Sequence, residues 1–138
     1  MKTIEKTHGR DLGLLLLRIS IGILILFHGM ANLNSDYTFI KSLLSDIGIP
    51  EFVAYSVFLG QIIAPILILI GWRARLASLV LALNMLTAIL MAHSADVFTL
   101  NEFGGWAIEL QGLYLFGAIE IFFLGAGKYA ISTKSKWN

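Results

Sequence analysis

Apolar residues run almost unbroken through four stretches, about 12–31, 52–71, 76–93 and 106–124, and polar residues gather between them. At about 1.5 Å of helical rise per residue each stretch is about 27–30 Å long, close to a bilayer's hydrocarbon thickness. The first, LGLLLLRISIGILILFHGMA, carries Arg18 in its interior and His28 toward its far end. At 100° per residue, Gly22, Ile25, Gly29 and Asn32 fall within about 40° of Arg18. Glycines and polar groups on one stripe predict a face turned toward other helices, since a cation at that depth is costly in lipid.

The polar stretches have their own patterns. In residues 36–47, Phe39, Ile40, Leu43, Leu44 and Ile47 recur at helical spacing, with Asp36 placed to cap the start and Gly48 and Pro50 to end it. A short amphipathic surface helix is expected there. The second span carries Gln61 and Pro65, and the proline should bend it. Arg73 and Arg75 form a tight turn into the third span, which holds Asn84 and closes on His93. The next loop, SADVFTLNEFGG, is acidic but contains Val97, Phe98, Leu100 and Phe103, which are expected to dip into the interface. On the fourth span Glu109, Leu113, Phe116 and Glu120 share one face, and Gly125 and Gly127 break the helix.

Composition agrees with spans and narrows the function. Of 138 residues 57% are hydrophobic and 14% charged, with mean hydropathy +0.80, which a water-soluble protein of this size would not sustain. The length fits one domain, residues 1–138. A net charge of +1 gives no footprint for nucleic acid, and the absence of cysteine excludes disulfides and thiolate chemistry. Residues 1–31 also fit a signal peptide, with Ile19–Phe27 as its core and Gly29-Met30-Ala31 as its cleavage site. The reading carried forward is a retained first span. Three basic residues lie in the N-terminal tail, two in the Arg73–Arg75 turn and three in the C-terminal tail, whereas the opposite loops hold Lys41 against five acids. That asymmetry places both termini in the cytoplasm. The expected fold is all-α: a four-transmembrane-helix bundle with a short amphipathic helix in the first outer loop.

Two groups of residues carry candidate chemistry. Arg18 and Glu120 lie at matching depth, within about one helical turn, so an intramembrane ion pair is expected. Such a pair fixes helix packing or serves a proton or ligand site, and packing carries more weight. Toward the outer side, His28, Gln61, Asn84, His93, Glu109 and Gln111 form a candidate polar pocket able to bind a quinone carbonyl and shuttle its protons. No metal site is assigned. His93 points away from Asn84 on a continuous helix, His28 lies about 80° off the Arg18 stripe, and terminal histidines often only anchor at headgroups. No phosphate-cradling loop and no nucleophile with a base at a recognisable spacing is present.

The run LLLLRISIGILILFHGMANL, the GIP before span two, LILIGWRARLASLVLALNMLTAILMAHSAD and GGWAIELQGLYLFGAIEIFFLGAGKYAIS together resemble the DoxX family of small bacterial membrane proteins. The similarity covers about residues 12–132. Relatives commonly carry a glutamate where Gln61 stands, so this chain lacks one ionisable group there. The resemblance implies an inner-membrane protein, with some members associated with oxidoreductase complexes and DoxD-type relatives with quinone-coupled thiosulfate oxidation. The function expected is a subunit of, or accessory to, a quinone-linked or redox-associated membrane complex. The alternative is a non-catalytic structural or assembly subunit. Quinone is the cofactor implied; membrane lipid and other membrane subunits, or self-association, are the partners.

Overall fold

The structure is a computed structural model that describes residues 2–138, with side chains from His8 onward. Among the described residues it is helical, with one isolated antiparallel bridge between Leu100 and Trp106. Helix α1 (Lys2–Asn34) begins well before the first apolar stretch, because nothing in the polar tail breaks the helix. Helix α2 (Thr38–Asp46) is the expected surface helix and ends at a left-handed Gly48. Asp36 does not cap it. Asp36 and Tyr37 are both left-handed, and the Asp36 carboxylate turns instead to Lys41.

The second apolar stretch is not one regular helix. A 3-10 turn (Glu51–Ser56) and a π turn (Leu59–Ile63) precede α3 (Ala64–Ile70). Pro65 has no N–H for the carbonyl of Gln61, four residues back, and the helix widens just before it. Gly71 closes α3 in the left-handed region, with the N–H of Trp72 bonded to Leu67 O at 3.0 Å. After the turn comes α4 (Ala74–Ala92), and then α5 (Glu109–Leu124).

Among the described residues, three segments are long and apolar enough to cross a membrane: His8–Asn34, Glu51–Ile70 and Ala74–Ala92. The fourth stretch, expected as a helix from Trp106, becomes one only at Glu109 and spans 16 residues. Residues 106–107 are drawn into a small hairpin: Trp106 bridges Leu100, and the N–H of Ala107 bonds to Thr99 O at 3.1 Å.

Helix α1 packs on α3 and α5, and α4 packs on the same two. Ile25, Ile68, Leu81, Ala118 and Ile121 sit at their common centre, each at most 1% exposed. Polarity is inverted relative to a soluble protein: Arg18 is 1% exposed while Leu16, Phe27, Leu90 and Phe123 point outward. This outer surface suits lipid, and the protein is an integral membrane protein.

The glycine stripe of α1 faces the second span as expected. A Cβ at Gly22 would lie 2.5 Å from Leu69 Cγ, and one at Gly29 would collide with the Gln61 carbonyl. The α1 backbone therefore lies against the carbonyl that Pro65 cannot serve. Gly60 meets Asn84 of α4 in the same way. Ala88 and Ala92, a second small-residue pair, line a cavity instead.

Candidate functional site

Arg18 is held by backbone. Its Nε donates to Ile68 O at 2.8 Å, Nη2 to Leu69 O at 2.7 Å, and Nη1 to Ala126 O and Tyr129 O, each at 2.7 Å. The first two carbonyls belong to the last turn of α3, where Ile68 O also accepts from the N–H of Gly71 at 3.2 Å. The other two belong to the segment after α5, which folds back over the α3–α4 turn. There the N–H of Ile131 bonds to Ile70 O and that of Arg75 to Trp137 O. A guanidinium at a helix C-terminus also faces the favourable end of the helix dipole.

The expected Arg18–Glu120 ion pair does not form. Glu120 is exposed on α5, in a groove beside Leu17 and Ile21 of α1, while Arg18 turns inward to the carbonyls. Four short hydrogen bonds in a dry site outweigh an ion pair that would draw the cation to the surface.

Of the residues expected in a polar pocket, His28, Asn84 and His93 line one cavity of about 260 Å³. It lies between α2, which contributes Phe39, Ile40 and Leu43, and the last turns of α4, which contribute Thr87, Ala88 and Met91. His93 was expected opposite Asn84. Helix α4 ends at Ala92, and His93 at φ −132° has left the helix, so both side chains reach the same space. The Oδ1 of Asn84 is buried and has no hydrogen-bond partner. Such an acceptor is left unsatisfied at a cost of about 1–3 kcal/mol unless a donor enters.

A smaller cavity of about 100 Å³ adjoins it, shared by His28 and His93 and bounded by Gln111 and Tyr114. Gln111 Nε2 lies 3.1 Å from His93 Nε2, and His93 Nδ1 lies 3.4 Å from Asp96 Oδ2. An amide nitrogen only donates, so His93 accepts at Nε2 and carries its proton on Nδ1, toward Asp96. His28 stands edge-on to Tyr114, with ring centroids 5.7 Å apart.

Gln61 does not enter the cavity. Its Oε1 accepts from Asn32 Nδ2 at 2.7 Å, and Asn32 stands in its place on the wall. Glu109 is exposed and lies against Gly105 in the preceding loop, apart from both cavities. Among the described residues no three His, Asp or Glu side chains converge as metal ligands would.

Sequence reasoning missed Asp96, although its spacing three residues after His93 was legible. It also missed a clasp beside the cavity. Lys41 Nζ donates to Asp36 Oδ2 at 2.7 Å and to Tyr55 Oη at 2.9 Å, tying α2 to the start of the second span. Hydrogen bonding and charge from Asp36, then Tyr55, push the Lys41 ammonium up to about 12, and Lys41 holds the Asp36 carboxyl below its ordinary value.

The DoxX family model matches residues 13–94, well over half of the chain, and the chain belongs to this family of membrane proteins. It is also similar to the protein named "Putative oxidoreductase CatD" from Bacillus subtilis (strain 168), with 27% identity over 105 residues, covering 76% of this chain and 78% of that protein. No solved structure matches significantly.

Proposed function

We propose that this DoxX-family protein crosses the bacterial inner membrane four times, with α5 as a short fourth span and both termini cytoplasmic. It serves a quinone-linked or redox-associated membrane complex, as subunit or accessory. The observation that carries this reading is the cavity that joins His28, Asn84 and His93 beneath α2. Its apolar walls suit a ring that partitions into lipid, and the unpartnered Asn84 Oδ1 suits a hydroxyl donor. A quinol supplies both. The His93–Asp96 pair would hold or pass its proton. The chain has no cysteine, so the redox group would be the bound quinone or a partner's cofactor. The name of the Bacillus subtilis relative adds support for redox association.

The test is purification in mild detergent followed by quinone extraction and mass spectrometry. Wild-type protein should retain quinone or gain thermal stability from added quinol, and Asn84→Leu should abolish either effect. A protein that retains no quinone and shows no shift with quinol overturns the reading.

One observation favours the alternative, a structural or assembly subunit. Among the described side chains the one charge buried in the core, Arg18, is committed to four backbone carbonyls. A stable larger complex with lipid alone in the cavity would decide for that role.

A further inference from the structure

A second void of about 260 Å³ lies far from the histidines, on the outer surface between the second span and α4. Its floor is the buried pair Ala64 and Ala77, and its walls are the apolar side chains of both helices, so no polar atom contributes to its surface. At the α3–α4 turn it ends against Trp72 and Arg73. Arg73 is exposed, its guanidinium 5.6 Å from the Trp72 ring centroid, and it has no acceptor among the described residues. It sits in the left-handed region at φ 50°, a conformation that an arginine rarely adopts.

We infer that this groove holds one acyl chain of an anionic phospholipid, with the lipid phosphate on Arg73. A surface without polar atoms takes hydrocarbon, and a lipid-facing site ending in an indole and a guanidinium has the layering of a bilayer's edge. The charge selects the headgroup. From Phe52 to Ala95 the chain has no acidic residue, so the mouth of the groove has no carboxylate of these two helices to receive a choline or ethanolamine cation. Arg75 is not the anchor, because it does not line the groove and its Nε is turned to Asn138 O at 2.9 Å. Of the two arginines at the turn, Arg73 is the one at the groove's end. The inference rests on the membrane location alone and is independent of the quinone reading and of which leaflet the turn faces.

The test uses the full chain in nanodiscs of phosphatidylcholine containing phosphatidylglycerol, with retained lipid counted by native mass spectrometry after release. Wild-type protein should retain one phosphatidylglycerol with a preference of about fivefold, the ratio equivalent to one close basic contact. Arg73→Gln should lose the preference, Arg73→Lys should keep most of it, and Arg75→Gln should leave it unchanged. All three substitutions are at the turn, outside the packed core. In parallel, phosphatidylglycerol with a photoreactive group in its acyl chain should label Leu67, Leu76 or Val80. A wild type without preference, a preference that survives Arg73→Gln, or labelling elsewhere overturns the inference. Protection of the groove by a second copy of the chain, seen as a dimer without bound lipid, overturns it too.

Discussion

Arg18 Nε lies 2.8 Å from the carbonyl oxygen of Ile68, and this contact joins the middle of α1 to the last turn of α3. With its three companion bonds it makes a buried cation the fastening point of three separate segments.

Substitution of Arg18 should therefore act through backbone. Arg18→Leu removes four charge-assisted hydrogen bonds, with only Ile68 O keeping a second donor in Gly71 N–H, and should lower stability by about 3 kcal/mol or more. Arg18→Lys should recover only part, because an ammonium lacks the planar fork. Glu120→Leu should be near neutral, and the double variant should show the sum of the two effects. Thermal unfolding in detergent measures all four. A strong coupling between the two positions would show that they interact.

Gly29→Ala should be among the most damaging single-methyl changes in α1. Its Cβ meets the Gln61 carbonyl, which is backbone and cannot rotate away, so the helices must separate, at about 1–3 kcal/mol. Gly9→Ala, with open space around it, should be neutral or slightly stabilising. The two melting temperatures, compared side by side, check this.

The clasp on α2 should be steady through neutral pH and fail at the extremes. Asp36 titrates below its ordinary 3.8 in the folded protein, so its contribution is present above that value and is lost as pH falls through the lowered one. Lys41 titrates at about 12, so its contribution is present below its ordinary 10.5 and is lost as pH rises through about 12. Hydrogen exchange of residues 38–46, corrected for intrinsic rates, should stay flat from about pH 5 to pH 9 and quicken toward lower pH. Lys41→Met should quicken it at neutral pH.

The proposed orientation predicts opposite labelling of two single cysteines. Ser35→Cys should react with an impermeant thiol reagent on intact cells, and Ser135→Cys should react only after the membrane is opened. The reverse pattern would invert the topology.

The sequence by itself determined that the chain is all-helical and where its apolar stretches lie, that the glycine stripe of α1 faces other helices, and that a surface helix follows the first span. These follow from spacing along one helix, which is local. Rise along a helix is local too, and Glu120 does line a groove with Leu17, the neighbour of Arg18 in the chain. Whether Arg18 and Glu120 meet depends on the rotation of two helices about their axes, and that is set by packing. Gly22 and Gly29 draw α1 against the second span, and Arg18 turns with them to the carbonyls of α3. Glu120 is left on the outer face of α5. The return of the C-terminal segment, which supplies two of those carbonyls, has no periodic signal at all. His93 joins Asn84 because α4 ends one residue early, and the start of α5 moves from Trp106 to Glu109 because a hairpin claims the residues before it. Helix ends are decided by whatever satisfies the last backbone groups: a neighbouring hairpin at the start of α5, and Arg18 and Ile131, far away in sequence, at the end of α3.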